Sequence, residues 1–157
     1  SDEFHPDKEY AWIDNDNEYD GWNFAHEAIK GEIEDFYNAL LEVLKLETIT
    51  HQQVIATSKW WDGHVEHMRN HLQNEDRVTK RVAAERFVWP TFMQEDHAKI
   101  QEYLQKIDLH TITLLQDAQL DRMQTMKDIL YVWHQYRKFI ASHLKQWEEV
   151  GMSLMRA

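Results

Sequence analysis

The chain has 157 residues and a formal net charge of −11, with 43% hydrophobic residues, four glycines, two prolines and no cysteine. This length fits one domain with a substantial core, and the few glycines and prolines favour long helices over an all-β fold. The negative charge argues against nucleic-acid and anionic-membrane partners, because the chain has no excess of cations to place against phosphates. Without cysteine, disulfides, thiolate zinc sites and iron–sulfur clusters are excluded.

The acidic segment 1–20 is predicted to be a solvated leader in front of a single domain at 21–157. The chain has no apolar stretch of about 18 residues and no signal-peptide pattern. We therefore expect a cytoplasmic protein with no membrane partner.

The first predicted helix begins near Trp22, with Asp20 as its cap. Its buried stripe recurs at three- and four-residue steps and contains His26, Ile29, Ile33, Phe36, Leu40 and Leu44. The second helix is capped by Thr48 or Thr50. Its stripe contains Val54, Trp61, His64, Met68, His71 and Glu75. Residues 77–88 fit either a helical extension or an irregular connection.

Pro90 fits the first turn of a third helix, where its missing N–H costs nothing. The stripe of this helix contains Met93, His97, Ile100, Leu104 and Ile107. The following turn falls within 109–121, and a fourth helix is predicted over 121–154. Its stripe contains Ile129, Trp133, Tyr136, Ile140, His143, Trp147 and Val150. Together these patterns predict an all-α fold, an up-down-up-down antiparallel four-helix bundle.

In such a bundle, the starts of the first and third helices lie beside the ends of the second and fourth. Six potential ligands therefore fall in one layer: His26, His71, Glu75, His97, His143 and Glu148. A dry layer that contains unpaired carboxylates is costly, and a pair of cations removes this cost. Imidazole with carboxylate suits iron, manganese or zinc. The pattern therefore predicts a two-metal site.

The remaining histidines have other interpretations. His64 lies on the same face as His71 and fits either a residue that orients a ligand or a buried core histidine. His67 is expected at the rim. His134 lies about 13 Å deeper than His143 by helical rise, so it is not expected to bind metal.

The chain resembles the hemerythrin-like, or HHE cation-binding, domain family over residues 22–154. The matching segments are WNFAHEAIKGEIEDF, HLQNED, WPTFMQEDHAKIQEYL and FIASHLKQWEEV. The resemblance implies a non-haem centre of two iron ions, with an oxo or hydroxo bridge, that binds dioxygen. It also implies two imidazoles for each iron and two bridging carboxylates. These are His26 and His71 for one iron, His97 and His143 for the other, and Glu75 and Glu148 for the bridges.

The chain departs from the family pattern at two points near these ligands. Met93 occupies the position at which oxygen carriers have a second histidine on the third helix, and a thioether is a poor ligand for ferric iron. Many members place the acid at the position of Trp147, whereas Glu148 follows His143 by five residues, the spacing at which oxygen carriers have aspartate. Glu149 is the alternative ligand at this position. The first departure favours a more reactive site that holds oxygen less reversibly.

Three functions remain open. The favoured one is a protein that binds or senses dioxygen, or a related diatomic such as nitric oxide, rather than an enzyme. The alternatives are a di-metal oxidase or peroxidase-like enzyme, and an interaction module that metal holds together. The Glu-x-x-His pairs of ferritin-like enzymes and the His-Glu-x-x-His motif of metalloproteases are absent from the sequence.

Overall fold

The computed structural model describes residues 17–83, 91–116 and 121–151, and its packed helices confirm the predicted all-α four-helix bundle. The helices are α1 (Asn17–Val43), α2 (His51–Ala83), α3 (Phe92–Gln116) and α4 (Arg122–Gln146), and a π-helical turn (Trp147–Gly151) follows α4. The side chains of residues 17–24, 82–83, 93 and 151 lie outside this description, and with them the prediction for Met93. None of the helices that the structure describes combines the length and apolarity needed to cross a membrane.

Two helices begin at capping residues, and one of them, Thr50, was a cap that the sequence indicated. At the start of α2, the Gln53 backbone N–H donates to Thr50 Oγ1 at 3.2 Å, and the Thr50 N–H donates to Gln53 Oε1 at 2.8 Å. This reciprocal pair is a capping box, which satisfies two backbone donors that the first helical turn leaves free. At the start of α4, Asp121 accepts a hydrogen bond from the Gln124 N–H at 3.1 Å.

The predicted stripes on all four helices contribute to the core, and α3 does so through Ile100, Leu104 and Ile107. Leu44 is only half-buried, and Val150 is 37% exposed in the π turn, so these two stripe positions do not reach the core interior. At the centre of the bundle, the buried Trp133 indole N–H donates to the Ile33 carbonyl at 3.1 Å and ties α4 to α1. The stripes therefore define which helix faces meet.

The start of α1 differs from the sequence interpretation, and the end of α2 follows one of its two alternatives. α1 begins at Asn17 rather than near Trp22, so Asp20 lies inside the helix and is not its cap. Residues 77–83 continue α2, as the helical-extension interpretation had it, whereas 84–90 fall outside the described residues.

Candidate metal centre

Glu75 lies at the centre of a buried cluster to which all four helices contribute. Its side chain is fully buried near the end of α2. Glu75 Oε1 lies 2.5 Å from His71 Nε2 and 3.5 Å from His26 Nε2. Glu75 Oε2 lies 2.7 Å from His97 Nε2 and 3.3 Å from His143 Nε2. One carboxylate therefore faces four imidazoles.

These side chains form two groups that share Glu75. The first contains His26 and His71, the second contains His97 and His143, and the ligand atoms within each group lie within 4.8 Å of one another. All are buried except His97, which is 12% exposed. Each group can hold a metal ion. The structure thus brings together five of the six residues that the sequence assigned to one layer.

The antiparallel arrangement explains this convergence. His71 and Glu75 are four residues apart on α2, so they share one face. His26 comes from the first half of α1, where its ring meets the His71 ring edge-on with centroids 5.1 Å apart. His97 and His143 approach each other in the same way, at 5.3 Å, from the start of α3 and the end of α4.

Among the described contacts, a carboxylate lies against the outer ring nitrogen, Nδ1, of His26, His97 and His143. The pairs are His26 with Glu148 at 3.1 Å, His97 with Asp76 at 2.8 Å, and His143 with Asp96 at 3.0 Å. An Nδ1–H that donates to a carboxylate leaves the Nε2 lone pair directed inward, which is the usual arrangement of histidines that bind metal. Sequence analysis missed Asp76 and Asp96. Each is the immediate neighbour of a ligand, and this adjacency is the signal that was available.

This hydrogen-bond pattern provides a test of whether a cation fits. With Nδ1 donating outward, a neutral His97 presents the Nε2 lone pair to a Glu75 oxygen that is also an acceptor. Either a proton or a cation must lie between them. Protonation of several imidazoles would bury several charges, which is costly. A metal ion accepts electron pairs both from the imidazole nitrogens and from the carboxylate oxygens. The residues present therefore fit a metal ion.

The protonation equilibria agree with an ionised carboxylate at the centre. Burial opposes ionisation, but hydrogen bonds from the surrounding imidazoles hold the pKa of Glu75 well below its usual value. Burial also lowers the pKa of His71, and its contact with Glu75 only partly offsets this effect. For His26 and His143, burial acts in the same direction, but the neighbouring carboxylates outweigh it and raise the pKa of each ring.

Glu148, predicted as a second bridge, lies outside the two groups. Its Oε1 is 3.1 Å from His26 Nδ1 and 3.2 Å from Lys30 Nζ. Burial raises the pKa of Glu148, but these two partners lower it below its usual value. The π turn has a wider spacing than an α-helix, which turns Glu148 toward the face that carries His143. Buried Trp147 packs edge-on against His26, with centroids 5.7 Å apart.

The other histidines lie away from this layer. His64 is buried and contacts Glu32 and Tyr136 rather than the ligand groups. His67 is half-buried at the rim and also contacts Glu32. His134 is half-buried and belongs to neither of the two groups.

Comparison of the chain with protein-family models, with curated proteins and with solved structures gives no match. The functional conclusion therefore depends on the geometry of the centre.

Proposed function

We propose that the chain is a hemerythrin-like, non-haem di-iron protein that binds or senses dioxygen or a related diatomic molecule. The observation that carries the proposal is the sharing of Glu75 by two groups that each contain two imidazoles. A carboxylate with one oxygen toward each group is suited to bridge two ions, which in two-metal sites lie roughly 3.5–4 Å apart.

The donor set favours iron. Each group offers two imidazole nitrogens and one carboxylate oxygen, the set that non-haem ferrous proteins use while they keep coordination positions open for a small molecule. Two ferrous ions at such a centre supply the electrons with which dioxygen is bound.

The chain's own residues keep this layer dry. One helical turn from the imidazoles, each helix contributes an apolar side chain that is at most 1% exposed. These are Ile29, Met68, Ile100 and Ile140. Trp147 covers the His26 side. Exclusion of water strengthens electrostatic interactions inside the layer and protects reduced metal from side reactions.

A small molecule has an approach to the layer beside His97. This ring is the most exposed of the four, at 12%, and its partner Asp76 is 53% exposed. A diatomic molecule that enters here reaches the half of the centre formed by His97 and His143.

Metal content and the ultraviolet–visible spectrum of anaerobically reduced protein, before and after exposure to air, test the proposal. We expect two irons per chain and new ligand-to-iron charge-transfer bands in air. His71→Ala should hold at most about one iron and lose the bands, whereas His134→Ala should keep both irons and the bands. Stoichiometric zinc with a featureless spectrum, or equal iron in the two variants, would contradict the proposal. Rapid turnover of peroxide without a persistent oxygenated form would favour the oxidase or peroxidase alternative.

A further inference from the structure

A second buried polar cluster consists of Tyr136, His64, Glu32 and His67. It lies about two helical turns from the layer formed by Glu75 and the four imidazoles, which we call the metal layer. Tyr136 is 0% exposed and His64 is 2% exposed. The Tyr136 hydroxyl lies 2.7 Å from His64 Nε2, and His64 Nδ1 lies 2.5 Å from Glu32 Oε1. The other oxygen of Glu32 lies 2.9 Å from His67 Nδ1. The four side chains form a continuous hydrogen-bonded chain from α4 to the rim of α2.

The direction of each hydrogen bond follows from the chemistry of the partners. An ionised carboxylate only accepts, so His64 Nδ1–H donates to Glu32. His64 Nε2 then has a lone pair, and the Tyr136 O–H donates to it. A base at 2.7 Å is within the range required for direct proton transfer. The phenol therefore has a built-in proton acceptor.

The resting protonation states support this role. Burial raises the pKa of Tyr136 well above its ordinary value, and it lowers the pKa of His64. The phenol is therefore protonated and the imidazole is neutral at rest. Oxidation makes a phenol far more acidic, so its proton moves when an electron is removed.

We propose that Tyr136 is a redox-active tyrosine that gives one electron to a strong one-electron oxidant while His64 accepts its phenolic proton. The O–H bond of Tyr136 breaks, an N–H bond forms at His64 Nε2, and the electron goes to the oxidant. The products are a neutral tyrosyl radical and an imidazolium paired with the Glu32 carboxylate. Hydrogen peroxide that reacts with iron held by the metal layer would supply the oxidising equivalent. This source rests on the iron centre of the proposed function, whereas the assignment of Tyr136 does not.

The aromatic rings beside the phenol and the path of its proton to solvent are formed by different side chains. The Trp133 ring lies 5.0 Å from the Tyr136 ring, and half-buried Trp60 lies 5.8 Å from Trp133, so aromatic rings lead from the phenol toward the surface. Glu32 and His67, whose side chains are 26% and 40% exposed, connect the imidazole to solvent. By helical rise Tyr136 is about 10 Å from His143, which lies in the opposite direction along α4 from Trp133. The metal layer is therefore on the other side of the phenol from Trp133.

The first experiment uses the full chain loaded with zinc, so that iron chemistry plays no part. A photogenerated ruthenium(III) tris-bipyridine complex is the oxidant, and electron paramagnetic resonance is the readout. We expect a persistent neutral tyrosyl radical with a hydrogen bond whose proton exchanges with deuterium. Tyr136→Phe should lose this signal, and Tyr131→Phe, at a tyrosine that is 67% exposed, should keep it. A persistent signal that survives Tyr136→Phe would overturn the proposal.

The second experiment tests the proton acceptor by flash kinetics on the same zinc-loaded protein. His64→Gln leaves a hydrogen-bonding side chain without a base, so the tyrosine should oxidise about a hundredfold more slowly. The deuterium isotope effect on the rate should also change. His134→Gln, on the helix that carries Tyr136, is the control. An unchanged rate and isotope effect in His64→Gln would contradict the role of His64. Because this variant retains Tyr136, it still tests the proposal if Tyr136→Phe fails to fold.

The third experiment separates this inference from the proposed function. Iron-loaded protein mixed with hydrogen peroxide and frozen rapidly should give the same radical, and Tyr136→Phe should lack it. A radical in the zinc experiment but none here would support the assignment of Tyr136 and contradict its connection to the metal layer. A radical in neither experiment would overturn the assignment itself.

Discussion

At the scale of single residues, the centre depends most on Glu75. Each imidazole belongs to one of the two ligand groups, whereas the Glu75 carboxylate belongs to both. Removal of an imidazole therefore weakens the binding of one metal ion directly, and removal of the carboxylate weakens the binding of both.

Substitution of these two kinds of ligand should give different metal stoichiometries. We expect Glu75→Ala to bind almost no iron, because both groups lose their only carboxylate oxygen. His97→Ala should keep about one ion, held by the group on α1 and α2, since two-metal sites have separate ligands for each ion. Elemental analysis after gel filtration measures this. Glu66→Ala changes an exposed acid on α2, the helix that carries Glu75, and it should keep two ions. Equal loss in the His97 and Glu75 variants would contradict the division into two groups.

The affinity for metal should rise with pH. The neighbouring carboxylates raise the pKa of His26 and His143, so the metal-free folded protein holds these protons more tightly than the unfolded chain does. Their contribution to metal-free stability is complete below the unfolded pKa of about 6.5 and is lost as pH rises through the folded values. Metal must displace these protons, at a cost of about tenfold in affinity per pH unit for each proton. Zinc titrations at several pH values check this, and an affinity that is constant from about pH 6 to about pH 7.5 would contradict it.

Helical periodicity in the sequence was sufficient to find the five residues of the cluster, which are Glu75 and the four imidazoles around it. His26, His71, Glu75 and His143 all lie on apolar stripes, so a bundle forces them inward. The carboxylates on the outer ring nitrogens are off those stripes. Asp76, for example, is an exposed residue of α2 that contacts His97 of α3. This contact depends on how the two helices pack and not on either helix alone.

At the scale of secondary structure, the end of α4 determines where Glu148 lies. Its spacing from His143 can be read from the sequence, but the π turn determines which atoms Glu148 reaches. Sequence periodicity assumes an α-helix, so a change to π geometry was not visible in it. The helix start was better predicted where a capping pattern was present, as at Thr50, than at α1, which begins at Asn17.

Glu148→Gln should reduce metal affinity without changing the number of ions. An amide at this position holds His26 Nδ1 less firmly than a carboxylate does, and loss of such outer partners typically lowers metal affinity about 10- to 100-fold. Competition with a chromophoric chelator measures the change. Glu149→Gln, at the neighbouring exposed acid, is the control. Loss of one whole ion from Glu148→Gln would instead identify Glu148 as a direct ligand, as the family resemblance implies.

At the scale of the whole molecule, the metal layer connects all four helices at one end of the bundle. Most of the remaining core is apolar and holds the helices together by burial, as the stripes predicted. The overall architecture was therefore predictable from periodicity. The connections at 84–90 and 117–120 were not, and they fall outside the described residues.

Metal should stabilise the folded bundle. A ligand that binds only the native state contributes about 2.7 kcal/mol when its free concentration is a hundredfold above Kd. For a chain of this size each kcal/mol raises Tm by about 2–4 °C, so we expect a shift of about 5–10 °C. Scanning calorimetry with added metal and with chelator measures the shift. Glu75→Ala should show almost none, and an equal shift in that variant would place the stabilising ion elsewhere.

The most direct measurement is an anomalous-difference map at the iron absorption edge from a crystal of iron-loaded protein. The account predicts two peaks roughly 3.5–4 Å apart, with one Glu75 oxygen toward each. One peak should lie against His26 and His71 and the other against His97 and His143. A single peak, or peaks away from the Glu75 carboxylate, would contradict the shared centre.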